Sequence, residues 1–154
     1  MEFNFFDFSK EKTLSSLYLK NRLNIIFSAL KEKKSVSLSI ILITEKAIKN
    51  YNDIWRQKDE ATTILTFCDE RENVLSWRGK DLKEKHLGDI FLCPNQIKKK
   101  AKEYKIAYDK YLDSILIHGV LHLYGYSHEK KSQTKKMEQK EKNILENISK
   151  RQLH

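Results

Sequence analysis

IHGVLHLYGYSHE, residues 117–129, is the stretch on which the reading of this chain turns. His118 and His122 stand four positions apart in it. On a helix that spacing places two side chains on one face, one turn above the other, so both imidazoles can reach a common ion. Gly125 then ends the helix, because glycine takes the left-handed backbone conformation without steric cost. The chain can turn back there, and His128 supplies a third ligand. Three nitrogen ligands with an open fourth position make the catalytic zinc pattern rather than the closed structural one. The expected centre is one Zn2+ per chain on His118, His122 and His128. A zincin helix would carry a glutamate directly after its first histidine. Gly119 stands there and cannot move a proton, which disfavours peptide hydrolysis by that route. Three neutral ligands leave the metal its full charge, which lowers the pKa of bound water toward about 7. His86 and His154 have no such context and read as surface residues.

Outward from this segment, strand and helix signals mix without strict alternation, which favours an α+β fold over a doubly wound sheet. Four strands are expected: residues 2–6, 35–43, 63–68 and 88–93. Five helices are expected with them. Ser9 opens the first, over residues 10–33, and Thr44 caps the second, which runs to about Trp55. Pro94 starts the third, since its missing N–H costs nothing in a first turn. The fourth covers residues 110–124, and the fifth, mostly charged, residues 131–148. Residues 69–86 are charged and turn-like, with Gly79 the only glycine, and read as a long excursion or hairpin. No repeat, linker or boundary signal appears, so residues 1–154 are expected to form one domain.

Composition narrows the partners. Apolar residues make up 40% of the chain, enough for one core. Lys and Arg outnumber Asp and Glu by 30 to 21, and the net charge of +9 attracts polyanions, phosphate backbones first among them. The Lys-rich stretches 98–105 and 130–142 fall on helices as solvated faces that can also line a groove. Cys68 and Cys93 form no CxxC pair; both lie in strand-like runs and read as buried free thiols, which fits a reducing cytoplasm. The first ten residues, MEFNFFDFSK, carry acids where a secretory signal needs cations. The longest apolar run, residues 40–43, is too short to span a bilayer.

The string from His118 to His128 resembles the H-G-x-L-H-L-x-G-Y-D-H signature of the YbeY family of endoribonucleases, the rRNA maturation factors. Two further stretches agree in order. Trp55-Arg56 followed by TTILTF (62–67) is similar to the family's Y-R and T-D-V-L-S-F, and LGDIFLCP (87–94) to its L-G-D-I-x-I-x-P/S. The resemblance covers residues 35–130. It implies a mostly parallel four-stranded sheet with the metal near one end, and zinc-dependent, single-strand-specific cutting of RNA. It also implies a role in 16S rRNA 3′-end maturation and ribosome quality control, with rRNA and the small ribosomal subunit as partners. Two positions depart from the pattern: Ser127 and Thr63 each replace an aspartate.

On this reading Arg56 pairs with the scissile phosphate, for which a planar guanidinium is suited; its alternative is a salt bridge with Asp53 or Asp59. Asp89 and Ser127 are candidates to orient a ligand histidine or the substrate, and Glu129 a helix-opening acid or a base. Tyr124, Tyr126 and Trp55 are candidates for stacking on bases. Two other functions fit the same residues: a metal-dependent hydrolase of another substrate, and a non-catalytic, zinc-stabilised rRNA-binding assembly factor. Imidazole binds metal only when neutral, and its free pKa is about 6.5, so protons displace the ion as pH falls. Bound zinc, read by elemental analysis after equilibration, is expected to drop below about pH 6; zinc content flat between about pH 5 and pH 7 would exclude a three-histidine centre.

Overall fold

The computed structural model describes residues 1–10, 14–32, 35–69, 85–127 and 130–152, the last two by backbone alone. His128, Glu129, His154 and most of the 69–86 excursion, with Gly79, lie outside these residues. The described elements run β1 Glu2–Asp7, α1 Ser16–Ala29, β2 Val36–Leu42, α2 Glu45–Arg56, β3 Ile64–Cys68, β4 Lys85–Leu92, α3 Pro94–Glu103, α4 Tyr108–Leu123 and α5 Lys131–Gln152. The fold is α+β as expected. The four strands form one mixed sheet in the order β1-β2-β4-β3. β1, β2 and β4 are parallel, and β3 pairs antiparallel with β4 at the edge.

Most helix starts follow their capping chemistry. The Thr44 side chain accepts from the Ala47 N–H at 3.2 Å, and Pro94 occupies the first turn of α3. The first helix corrects the expectation: its cap is Ser15, which accepts from Tyr18 N–H at 3.1 Å. Ser9 is spent elsewhere, since its backbone N–H donates to the Asp7 carboxylate at 2.9 Å and closes the end of β1. β4 also begins earlier than expected, at Lys85. Helix ends were harder to read because glycine is scarce: Lys31, Gln57 and Lys105 take the left-handed conformation just past α1, α2 and α3.

The sheet has two unequal faces. On one, Leu38, Ile40, Leu42, Ile90 and Leu92 join residues of α1, α3, α4 and α5 in the main core. On the other, Ile48 of α2 packs with Ile43, Leu65 and Cys93 in a smaller one. Each fully buried Leu or Ile here contributes about 1.5–3 kcal/mol. Cys93 is buried as expected but Cys68 is exposed, because it ends the edge strand. α4 lies at the centre, apolar nearly all round, as a buried helix must be. Its one buried carboxylate, Asp113, accepts from Arg22 Nε at 2.7 Å and from a second guanidinium nitrogen, which ties α1 to α4. That hydrogen bond holds the Arg22 guanidinium above its ordinary pKa. No helix among the described residues is long and apolar enough to cross a membrane.

One irregularity in the sheet matters for the site. Ser37 pairs with His86 but Ser39 with Asp89, so β4 carries one extra residue there. Such a bulge rotates the strand, and His86 and Asp89, three apart, come to one face. Gly88 makes it possible with φ +143°; a Cβ there would sit 2.1 Å from the Phe67 carbonyl oxygen. Gly88→Ala is expected to destabilise the protein by roughly 2 kcal/mol or more, through backbone strain and that clash. Urea unfolding would read it, and an unchanged midpoint would contradict this account of the bulge.

Candidate metal centre

Helix α4 presents His118 and His122 on one face, as the spacing required. Their Nε2 atoms lie 2.9 Å apart with ring centroids at 4.4 Å. Two imidazole nitrogens bound to one tetrahedral zinc lie about 3.3 Å apart, given Zn–N bonds of about 2.0–2.1 Å. The pair is therefore set within a few tenths of an ångström of a shared-ion geometry. The helix stops where Gly125 predicts. Gly125 has φ +96°, its N–H donates to His122 O at 3.0 Å, and Tyr126 N–H donates to Leu121 O at 3.1 Å. This double bond pattern is the Schellman termination. It turns the chain so that Ser127 comes back to the histidines' cleft.

His118 has a partner that sequence reasoning missed. Its Nδ1 lies 2.9 Å from Glu141 Oε1, on α5. A ligating histidine commonly gives its second nitrogen to a carboxylate, which fixes tautomer and ring orientation. With Nδ1–H donating to Glu141, His118 Nε2 carries the lone pair and His122 Nε2 is the donor in the contact between them. Transfer of His122 to its Nδ1–H tautomer turns the Nε2 lone pair toward the same point, so both Nε2 atoms can face a single cation and the donor set fits a divalent metal. A signal for Glu141 did exist. Met137, Ile144 and Ile148 form the buried stripe of α5, and position 141 is the rung of that stripe occupied by a charge. Among the described residues no group of three His, Cys, Asp or Glu side chains surrounds the site. His128, the expected third ligand, lies outside them.

The histidine pair opens on a cleft of about 660 Å³, whose walls include Trp55, Arg56, Ile64, Phe67 and Ser127. The cleft straddles the edge strand: α4 approaches β3 from the main-core face, α2 from the other. Gly119 permits the first approach, since a Cβ there would meet Ile64 Cδ1 at 2.7 Å. Arg56 ends α2, whose last turn is closed by Gln57 N–H donating to Asp53 O at 3.1 Å and Lys58 N–H to Asn52 O at 3.3 Å. The alternative partner Asp59 pairs instead with Lys49, at 3.7 Å. Arg56 makes no ion pair among the described residues, and its guanidinium is exposed to the cleft.

The remaining candidates fall elsewhere. The bulge puts Asp89 on the α2 face of the sheet, with its carboxylate 3.7 Å from His86 Nε2 rather than beside His118 or His122. His86 Nδ1 in turn meets Ser37 Oγ at 2.9 Å, so His86 is built into the sheet surface. Thr63 serves through its backbone, its carbonyl accepting from Cys93 N–H at 3.0 Å. Tyr124 is half-buried and gives its hydroxyl to Glu32. Burial first, and that carboxylate second, push its phenol well above the ordinary tyrosine range, so it stays protonated.

Comparison with known proteins identifies a family. The family model described as "Endoribonuclease YbeY" matches residues 6–149. An endoribonuclease YbeY of Thermotoga petrophila is 34% identical over 119 residues, 77% of this chain and 71% of the relative. One from Staphylococcus carnosus is 33% identical over 127 residues, 80% of this chain and 82% of the relative. The solution structure of the Thermotoga maritima protein TM1509 superposes with a TM-score of 0.62 at 29% identity, covering 95% of this chain and 88% of that one. A histidine helix ended by a glycine turn, an arginine across the cleft and a match along nearly the whole length place this chain in the YbeY family of endoribonucleases.

Proposed function

We propose that this protein is a zinc-dependent endoribonuclease that cuts single-stranded RNA, acting on the small-subunit rRNA in maturation of the 16S 3′ end and in ribosome quality control. The observation that carries the reading is the convergence of His118 Nε2 and His122 Nε2, 2.9 Å apart, in a cleft they share with Arg56. Membership of an endoribonuclease family and a net charge of +9 support an RNA substrate. The expected third ligand, His128, belongs to the same proposal.

When bound, zinc supplies positive charge and Lewis acidity at the histidine end of the cleft. His118 and His122 hold it, and Glu141 keeps the His118 ring in the one tautomer that can bind. Arg56 stands opposite on α2 and binds a phosphate through its planar fork, stabilising the negative charge that grows on the phosphoryl oxygens during displacement. Ser127, at the lip of the cleft, offers a hydroxyl to the phosphate or to water. The walls from Ile64 and Phe67 lower the local dielectric, which strengthens each of these charge contacts.

Three substitutions test the assignment, with cleavage and binding of a labelled single-stranded RNA measured separately. His122→Ala is expected to abolish cutting while RNA binding persists; cleavage at the wild-type rate would leave zinc a purely structural role or none. Arg56→Ala is expected to lower kcat/KM by about 100-fold or more with the metal content unchanged. Glu141→Ala is expected to weaken zinc binding by about 10–100-fold, with Glu141→Asp recovering part of the loss. Equal zinc affinity in Glu141→Ala and wild type would remove the orienting role of that carboxylate.

A further inference from the structure

Trp55 is the large aromatic of the cleft that packing has not used up. It is 65% exposed on the last turn of α2, whereas Tyr124 is held by Glu32 and against Phe27. Its position is nevertheless fixed. The indole meets Phe67 edge to face with centroids 5.8 Å apart, Phe67 meets Phe91 in the same way at 5.5 Å, and Phe91 meets Tyr51 at 5.2 Å. Tyr51 and Trp55 are both exposed on α2, and Phe67 and Phe91 between them pack against the smaller core, so the indole is braced on one side and open on the other. Leaving an indole so exposed forgoes its burial energy, and a rigid open ring is the form in which an aromatic recognises another flat group. The next residue is Arg56, a cation without an ion-pair partner among the described residues, in a protein of net charge +9.

We propose that Trp55 is the stacking platform for one unpaired nucleobase, that of the nucleotide next to the phosphate gripped by Arg56. The inference rests on the RNA-cleaving reading above and deepens it by supplying a source of single-strand selectivity. A base inside a duplex has both faces covered by its neighbours and cannot lie on the indole; an unpaired base can. Every base has a π-face, so the platform selects for strand state more than for base identity.

The test uses the full chain after metal removal by chelation, so that binding is read without cutting. Short fluorescent oligoribonucleotides carry an abasic sugar at successive positions. Wild type is expected to lose about tenfold in affinity when the abasic site falls at one particular position. Trp55→Ala is expected to bind the intact strand about tenfold more weakly and to be indifferent to the abasic site at that position, while Trp55→Phe keeps most of the wild-type pattern. In a Trp77→Phe background Trp55 is the sole tryptophan, and intact RNA is expected to quench its emission more than the abasic strand does. Equal abasic penalties in wild type and Trp55→Ala, or unchanged affinity in Trp55→Ala, would overturn the platform, and would make the patch of Ile54 and Trp55 a surface for some other partner. The two readings fail separately. Abasic-sensitive binding through Trp55 with no cleavage after zinc is restored supports the platform and sinks the nuclease. Cleavage with no abasic sensitivity sinks the platform alone.

Discussion

The close approach of a buried helix to an edge strand, allowed by the missing side chain at Gly119, is the constraint from which the site follows. A Cβ at position 119 would stand 2.7 Å from Ile64 Cδ1, with Thr66 Cγ2 at 3.4 Å and Ile90 Cδ1 at 3.5 Å, so a larger residue would have to displace the Ile64 side chain. His118 precedes that contact by one residue, and His122 follows it by three. The two imidazoles are therefore carried to the rim of the sheet, where solvent and substrate have access, while the rest of the helix remains in the core. A side chain at position 119 would be set against Ile64, Thr66 and Ile90, so a glutamate there would start from the sheet side of the helix.

Precision at the site comes from the rigidity of its support. α4 is gripped by apolar contacts with the sheet and with α5, and by the buried Arg22–Asp113 pair from α1. Removing one partner of such a pair would leave the other charge buried, at a cost of about 3–5 kcal/mol. Past its C-terminus, the Tyr124 hydroxyl bound to Glu32 fixes the turn from the α1 side. On the opposite wall, Arg56 is set by a helix end whose loop is tied down by Asn52 Nδ2 donating to Glu60 O at 2.9 Å. Neither wall relies on the other, and the cleft is the space between two independently anchored helix termini.

Much of this was legible in the residue pattern, for physical reasons. Alternation and β-branched runs marked β2 and β3, Thr44 and Pro94 marked helix starts, and Gly125 marked the end of the histidine helix, because each of these is a local rule. What the pattern hid was non-local or masked by a compensating residue. The bulge at Gly88 brings His86 to the face of Asp89 and Leu87 to that of Ile90, and no period-2 reading of HLGDIFL shows that. Three helix ends use Lys or Gln in the left-handed conformation, where only glycine would have been recognised. The Ser9 side chain is competent to cap the first helix, but Asp7 accepts its N–H, and Ser15 caps the helix instead. The histidine spacing was visible within five residues of sequence, whereas the pairing of Glu141 with His118 spans 23 positions and left only a charged rung on an apolar stripe.

That carboxylate ties the chemistry of the centre to the last helix of the fold. α5 would otherwise count as a lid over the main core, held by Met137, Ile144 and Ile148. Because Glu141 shares their stripe, any slippage of α5 by a single residue rotates the carboxylate away from His118 while the apolar contacts partly re-form. A chain shortened ahead of position 141, or one whose final helix frays, would retain both imidazoles and lose the group that orients one of them. The orientation of the His118 ring is thus coupled to the docking of the C-terminal element.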